Sequence, residues 1–227
     1  RFHYCLFSIQ NKIPCIAISY QPKVKSQFQD FGLMKNIIEM SDLNSENLIQ
    51  FKEYLNKKSA KKLYKPRIIK SLYFDNLKLD MYNDSVEGSV PRKKIRIREY
   101  PDSEDQNYYL EIKTSSVEGR FKTRQVISYD KNSTFKKFGY LDSSYGTCLP
   151  NFFVSYEREY SIINDVRISI DNKITYTSFL TKKKFEDSKI IVELKTSINK
   201  NLDDLVEMFP FQKIRFSKYC LAVENLN

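Results

Sequence analysis

The stretch from Lys93 to Tyr100 alternates between apolar and charged residues, and this period of two predicts a half-buried β-strand. Two isoleucines point to one face of this strand, and Lys94, Arg96 and Arg98 point to the other. Residues of a strand rise by ~3.3 Å each, so neighbouring cations on that face lie only ~7 Å apart. Such a row needs screening by water or by an anion. The strand alone leaves two interpretations open, a solvated outer face or one wall of an anion site.

The same period of two recurs along the second part of the chain and predicts further strands. The strand candidates are 68–74, 108–115, 121–128, 152–160, 165–170, 174–180, 189–196 and 213–221. Residues 77–82 and 201–208 are the helix candidates here, and residues 130–148 appear as irregular sequence rich in Ser, Gly and Tyr. Because strand follows strand with little helix between, we expect an antiparallel sheet that can close into a barrel.

The first part of the chain has a different pattern, which predicts a small α/β piece over residues 1–57. Cys15–Tyr20 is a continuous apolar run, typical of a buried parallel strand, and Ser45–Lys57 has the spacing of an amphipathic helix. The basic stretch 58–66 is expected to be a linker to a β domain over residues 67–227. The predicted fold class is therefore α+β, an antiparallel β tunnel preceded by a small α/β fragment.

Composition excludes several classes of protein. The chain has 227 residues, is 41% hydrophobic and can bury a sizeable core. It has only 5 glycines and no glycine-rich phosphate loop. Four scattered cysteines and one histidine argue against a zinc site and for free cytosolic thiols. No signal peptide and no apolar run near ~20 residues is present, so we expect a cytoplasmic location, with the cytoplasmic face of a membrane as an alternative. Because the first residue is Arg, we expect the chain to be part of a longer one.

The net charge of +10 favours an anionic partner, such as nucleic acid, polyphosphate, a nucleotide or an acidic membrane surface. Most of this excess lies in the β part, where several strands carry a basic residue and a second charged residue two positions on. If these faces line a closed barrel, its lumen is unstable when empty and stabilised by a polyanion. Carboxylates among the cations would then hold a divalent metal that bridges phosphates.

The segments Arg1–His3, 12–23 and 31–33 resemble the C-terminal end of the polysaccharide pyruvyl transferase family. That resemblance implies transfer of pyruvate from phosphoenolpyruvate to a sugar in cell-surface polysaccharide synthesis. Within it, Arg1 matches a residue able to grip phosphate or carboxylate, and His3 one able to act as acid or base. The match covers only about the last quarter of such an enzyme, and an inactive remnant is the alternative interpretation.

The β part carries an ordered set of short motifs: Ser71–Asn76, Arg92–Tyr100, Leu110–Lys113, Lys122–Arg124, Tyr156–Arg158, Val166–Asp171, Val192–Lys195 and Phe216–Tyr219. In this order, over about residues 66–224, they resemble the VTC domain of the triphosphate tunnel metalloenzymes. The resemblance implies an antiparallel β tunnel. The family's first tunnel strand, with its Glu and Lys, is not found before Arg67, so one wall is expected to be missing.

The resemblance also implies the site. Its phosphate-binding and catalytic positions are Arg96, Arg98, Lys113, Lys122, Arg158, Arg167 and Lys218. Lys195 and Arg124 match cofactor-binding neighbours, and Glu193 and Glu111 match metal-binding carboxylates. The implied activity is that of a polyphosphate polymerase, which moves the γ-phosphate of ATP onto a growing chain with Mn²⁺ or Mg²⁺. Phosphoryl transfer needs mainly positioning and charge neutralisation, which these residue types supply.

The leading hypothesis is therefore a tunnel domain that binds triphosphate or polyphosphate and polymerises it from ATP. The expected partners are ATP and polyphosphate or another polyanion, with a membrane-associated partner as a further possibility and no DNA. The alternatives are a pyruvyl transferase fragment, a non-catalytic polyanion-binding module, and a nucleic-acid-binding module with exposed aromatic stacking residues.

Overall fold

The computed structural model describes residues 17–19, 37–39, 45–196 and 216–226. Two compact units divide between Lys58 and Ser59. The first contains strands β1 (Ala17–Ser19) and β2 (Ile37–Glu39), which pair in parallel, and helix α1 (Ser45–Lys57). The predicted parallel strand and the predicted amphipathic helix are thus both confirmed. No helix in the described ranges has the length and apolar character needed to cross a membrane.

The second unit is a mainly antiparallel sheet with three described helices. Its strands are β3 (Lys61–Asp75), β4 (Arg92–Glu99), β5 (Tyr108–Ser115), β6 (Arg120–Ile127), β7 (Tyr140–Asp142), β8 (Gly146–Ile163), β9 (Val166–Ser178), β10 (Lys184–Asp187) and β11 (Ile191–Lys195). Its helices are α2 (Asp80–Glu87), α3 (Tyr129–Phe138) and α4 (Lys218–Leu226).

The strands are ordered β10-β9-β8-β3-β4-β5-β6, with β11 next to β10 on the free side of β9 and β7 beside β8. Every pairing in this sheet is antiparallel, as the sequence predicts. Within the described residues the sheet does not close, because β6 has a strand neighbour on one side only. The expected barrel is therefore an open sheet here, in agreement with the first tunnel strand that the sequence lacks.

The two faces of the sheet bury different kinds of residue. The outer face carries an apolar cluster that includes Leu72, Phe74 and Ile95, covered by Met81 of α2. The inner face, defined by Ser71, Tyr73, Arg96, Arg98 and Glu111, has an apolar patch at one end and charged groups along the rest. Period-two strands with apolar residues on one face and charges on the other thus end up buried on both faces.

Helix α4 covers the apolar end of the inner face. Its Tyr219 ring stacks on Tyr73 with centroids 5.3 Å apart, and its hydroxyl donates to Asp75 Oδ2 at 2.6 Å. Ala222 and Val223 are also buried in this patch. The sequence predicted a final strand over 213–221, which is wrong for residues 218–221. The apolar spacing of three to four that marks the helix continues only beyond Leu221.

Other boundaries also differ from the prediction. Lys61–Pro66, expected to be linker, forms the exposed first part of β3, because cross-strand pairing with β8 extends that far. Residues 130–148, expected to be irregular, contain most of α3, all of β7 and the start of β8. Helix α3 has almost no apolar period; its start is fixed by Ser128, whose Oγ accepts from the Lys131 N–H at 3.2 Å. The predicted helix 201–208 lies outside the described residues.

Candidate functional site

A buried ion pair links the two central strands of the inner face. Arg96 of β4 and Glu111 of β5 are register partners, and they are 7% and 0% exposed. Nε and Nη2 of Arg96 donate to Glu111 Oε2 at 2.9 and 2.6 Å, and Nη1 donates to the Tyr73 hydroxyl at 2.8 Å. The solvated-face interpretation of the cationic strand is therefore wrong, because its central arginine lies inside the fold.

Four cations surround the single carboxylate of Glu111. Besides Arg96, Lys122 Nζ lies 2.6 Å and Arg124 Nε 3.7 Å from Oε1, and Arg98 Nη1 lies 3.8 Å from Oε2. Burial raises the pKa of Glu111, but Arg96, Arg98 and Lys122 outweigh it and hold the pKa at about 2. The carboxylate is therefore ionised at neutral pH, and its one negative charge leaves a surplus of positive charge around it.

Arg98 is the cation with the least compensation among these buried groups. It is 6% exposed, its Nε donates to Ser71 Oγ at 3.1 Å, and its Nη2 donates to the Tyr156 hydroxyl at 3.0 Å. Both partners are neutral, and its carboxylate neighbour is Glu111 at 3.8 Å. A buried charge is costly unless it is paired, so this guanidinium favours the arrival of an anion.

A second carboxylate, Asp171 on β9, organises the other side of the inner face. Arg158 Nε and Nη2 donate to its two oxygens at 2.5 and 2.7 Å, and Lys218 Nζ of α4 donates at 2.6 Å. Burial raises the pKa of Asp171, and the two cations lower it further below its usual range. Glu193 on β11 lies 3.5 Å from both Arg158 Nη2 and Lys195 Nζ.

Lys113 and Tyr73 are the two groups of the inner face that titrate near neutral pH. The side chain of Lys113 reaches solvent, yet desolvation of its ammonium group and the charges of Arg96 and Arg98 lower its pKa to about 8. Burial raises the pKa of Tyr73, but the positive charges of Arg96, Arg98 and Lys113 outweigh it and bring the pKa to about 8. Among the described residues, Lys113 has no carboxylate within ion-pair distance.

The structure brings most of the predicted site residues together in two adjoining groups. Around Glu111 lie Arg96, Arg98, Lys122 and Arg124, and around Asp171 and Glu193 lie Arg158, Lys195 and Lys218. Arg167 lies at the start of β9 with an exposed side chain, and it pairs in register with Lys195 of β11. Arg1 and His3 lie outside the described residues.

Sequence reasoning missed four polar groups of this site. Asp171 pairs with Arg158, and the hydroxyls of Ser71, Tyr73 and Tyr156 accept from the buried guanidinium groups. The available signal for Asp171 was its spacing along β9, on the same face as the other polar residues of that strand. The tyrosines gave no signal, because a tyrosine in a strand is equally typical of the apolar core.

The carboxylates differ in how well they fit a metal. The described residues contain no group of three His, Cys, Asp or Glu side chains that could hold an ion by themselves. Both oxygens of Glu111 already accept from Arg96 or Lys122, whereas Glu193 has a side chain that is 44% exposed and only longer contacts. Mg²⁺ commonly uses one or two carboxylates plus substrate phosphates. Glu193 fits that arrangement better than Glu111.

Two surface cavities, of about 450 and 370 Å³, lie outside this cation cluster. The first is lined by outer-face residues such as Ile112, Phe121 and Leu141, and the second by residues near Pro66 and Lys173. The long side chains of the inner face fill their own concavity, which is why the charged region is not an empty pocket. The chemistry of the site is therefore located by its charges rather than by cavity volume.

An open antiparallel sheet with a buried surplus of cations on one face defines a polyanion-binding protein of the triphosphate tunnel type. The chain belongs to the VTC domain family, whose family model matches residues 35–227. The resemblance drawn from the ordered motifs is thereby confirmed. The match also takes in residues 35–57, which the pyruvyl transferase resemblance had claimed, and nothing supports that second resemblance. No curated protein matches the chain.

Solved structures show the same fold at low sequence identity. A presumed adenylate cyclase from Bacillus halodurans has a TM-score of 0.53 and 11% identity, covering 79% of this chain and 92% of the other. A presumed adenylate cyclase from Vibrio parahaemolyticus has a TM-score of 0.48 and 12% identity, covering 79% and 94%. A conserved hypothetical protein from Pyrococcus furiosus has a TM-score of 0.45 and 17% identity, covering 73% and 86%.

Proposed function

We propose that the inner face binds the triphosphate of ATP and the end of a polyphosphate chain, and transfers the γ-phosphate from one to the other. The observation that carries this proposal is the charge balance around Glu111, where one carboxylate faces four cations. Two of these cations, Arg96 and Arg98, are buried. A polyphosphate supplies the missing negative charge and many acceptor oxygens.

In the proposed reaction, an oxygen of the terminal phosphate of the chain attacks the γ-phosphorus of ATP. The bond between that phosphorus and the oxygen bridging to the β-phosphate breaks, ADP leaves, and the chain gains one phosphate. Arg96, Arg98 and Lys122 hold the phosphate oxygens and neutralise their charge, while Arg158 and Lys218 do the same at the Asp171 side. Positioning and charge stabilisation are the main needs of phosphoryl transfer.

A divalent metal, Mn²⁺ or Mg²⁺, would supply further neutralisation and bridge phosphate oxygens, and Glu193 is the residue that would hold it. The remaining steps depend on the chain's own cations. Lys113, which has no described carboxylate partner, is free to bind a phosphate oxygen without giving up an ion pair. Glu111 then acts as the fixed centre that holds Arg96 and Lys122 in place.

The test is an assay of the purified protein with ATP and Mn²⁺ for the appearance of polyphosphate. We expect the double variant Arg96→Ala, Arg98→Ala to abolish the product. The matched control is Lys131→Ala, Lys137→Ala, which also removes two positive charges but from the exposed surface of α3. Equal loss in both variants would contradict a specific site.

Binding and catalysis are separated by a second measurement. Tripolyphosphate should raise the melting temperature of the wild type, because a ligand that binds only the folded state stabilises it. A rise without any polyphosphate product identifies a binding module instead of a polymerase. Neither a rise nor a product would refute the proposed function as a whole.

A further inference from the structure

A cluster of aromatic and guanidinium groups lies at the open end of the inner face, away from α4. The Arg67 guanidinium carbon is 4.5 Å from the ring centroid of Tyr100 and 5.1 Å from that of Tyr160. Arg67 Nε also donates to the Tyr160 hydroxyl at 2.9 Å. The ring of Tyr64, which is 62% exposed, meets Tyr160 edge to face at 5.4 Å. This end of the face is therefore a set of flat groups that reaches solvent.

A second half of the cluster comes from β5 and β6. The Arg124 guanidinium carbon lies 3.8 Å from the ring centroid of Tyr109 and 5.7 Å from that of Tyr100. The Tyr100 and Tyr109 rings are 5.7 Å apart with an angle of 69° between their planes. We call Arg67, Tyr100, Tyr109, Arg124 and Tyr160 the stacking cluster. Its members come from four strands and the residue that follows β4, so the fold, and not one local motif, assembles it.

The stacking cluster is continuous with the phosphate-binding cations. Arg124 belongs to both, since its Nε lies 3.7 Å from Glu111 Oε1 while its guanidinium covers Tyr109. Tyr100 follows Arg96 by four positions, which places it about 13 Å further toward the open end at ~3.3 Å per residue. The two regions are therefore neighbouring but distinct, one made of charges and the other of flat groups.

Flat groups of this kind bind nucleobases. Proteins stack bases on tyrosine rings and on arginine guanidinium planes, and such stacking tolerates any base because every base has a π-face. Phosphate alone gains nothing from a tyrosine ring. The phosphate-binding role of the inner face thus explains Arg96 and Arg98 but leaves the tyrosines of the stacking cluster without a purpose.

We propose that the stacking cluster binds the base of a nucleoside triphosphate whose phosphates lie on the cations around Glu111. This inference rests on the proposed function, because it assumes that the inner face binds a triphosphate. It adds that the chain distinguishes ATP from base-free polyphosphate, and that it does so through Tyr100, Tyr160 and Arg67. Because stacking does not read hydrogen-bonding edges, other purine nucleotides bind there with similar strength.

The test compares the binding of ATP and of tripolyphosphate by calorimetry in wild type and in Tyr100→Leu and Tyr160→Leu. Each variant should weaken ATP binding about tenfold or more, as expected for loss of one stacking partner, and leave tripolyphosphate binding unchanged. The matched control is Tyr129→Leu on α3, whose ring is 69% exposed and lies outside the cluster. It should change neither affinity.

The possible results separate this inference from the proposed function. Wild type that binds tripolyphosphate, with variants that lose ATP selectively, supports the base site. Variants that bind both ligands as wild type does, or that lose both equally while retaining the wild-type melting temperature, overturn it. Wild type that binds neither ligand refutes the proposed function itself. Tighter binding of a single-stranded oligonucleotide than of ATP, lost in Tyr100→Leu, would overturn the inference in favour of a nucleic-acid surface.

Discussion

Glu111 holds the cation cluster together, and its charge is the one that the arginines around it require. Both of its oxygens accept from a cation at 2.6 Å, from Arg96 and from Lys122. The residue is fully buried, so its removal leaves like charges facing one another in a region of low dielectric. Its role in the free protein is therefore structural, and it sets the positions at which a polyanion meets the arginines.

The first prediction concerns Glu111→Gln, which keeps the shape of the side chain and removes its charge. Breaking a buried ion pair from one side costs about 3–5 kcal/mol, so the free energy of unfolding should fall by about that amount. Tripolyphosphate should recover part of the loss, because it replaces the missing negative charge. Denaturant unfolding with and without tripolyphosphate measures both effects. The control Glu118→Gln, at an exposed turn, should change stability by less than about 0.5 kcal/mol. An equally stable Glu111→Gln variant would contradict the role given to Glu111.

The second prediction is a loss of triphosphate affinity above pH 8. The pKa values of Lys113 and Tyr73 are both lowered to about 8. As the pH rises from 7 to 9, Lys113 loses its positive charge and Tyr73 gains a negative one. Both changes repel a polyanion, whereas the phosphates themselves are already ionised above pH 7. Calorimetric titration at several pH values measures the effect.

The variants Lys113→Arg and Tyr73→Phe separate the two contributions to this pH dependence. Arginine stays charged throughout the range, and phenylalanine cannot ionise. The double variant should therefore bind tripolyphosphate with an affinity that is nearly constant from pH 7 to 9. A fall in affinity of the same size in wild type and in the double variant would rule out these two residues as its source.

Among the secondary-structure elements, α4 is tied to the sheet by one hydrogen bond of unusual reach in sequence. Asp75, the last residue of β3, accepts from the backbone N–H groups of Met81 and Tyr82 at the start of α2. The same carboxylate accepts from the Tyr219 hydroxyl of α4. Asp75 thus joins the end of a central strand to two helices, and it fixes α4 over the apolar end of the inner face.

The third prediction tests this connection with Tyr219→Phe. The variant keeps the ring that stacks on Tyr73 and removes only the hydroxyl. Hydrogen bonds to charged groups contribute about 1.5–3 kcal/mol, and the free energy of unfolding should fall by that amount. Denaturant unfolding provides the measurement. The control Tyr129→Phe removes a hydroxyl from an exposed ring and should be neutral; a similar loss in both variants would contradict the connection through Asp75.

Element by element, the sequence predicts the strands far better than the helices of the β part. The period of two located β4, β5 and β6 within a residue or so, because each has charged and apolar residues on opposite faces. Helix α3 was missed because its residues are mostly polar and only its cap and its pairing with the sheet define it. The single strand β9 was predicted as two, because a register shift between Ser155 and Glu157 of its neighbour β8 interrupts the regular pattern.

The site was predictable in its residue types but not in its pairings. The alternation of β4 indicates that Arg96 and Arg98 share a face, and the motif order indicates that they line a tunnel. The sequence cannot show that Arg96 lies opposite Glu111, because the loop between β4 and β5 sets that register. For the same reason the assignment of Glu111 as a metal ligand stays a prediction, and the observed contacts favour Glu193.

For the whole molecule, the central question is whether its positive charge acts as a general field or as one site. The net charge of +10 would attract any polyanion weakly and in a salt-dependent way. The inner face adds a localised surplus, with buried guanidinium groups that weak surface attraction does not require. A localised site predicts that the position of a removed charge matters more than the change in net charge.

The fourth prediction makes that comparison with two variants of equal charge. Lys113→Gln removes a cation of the inner face that has no described ion pair, and Lys184→Gln removes an exposed cation of β10. The rise in melting temperature with tripolyphosphate should be clearly smaller in Lys113→Gln and unchanged in Lys184→Gln. Raising the salt concentration should weaken binding in both, because every phosphate contact retains an electrostatic part. Equal reductions in the two variants would show that the net charge, and not the inner face, binds the polyanion.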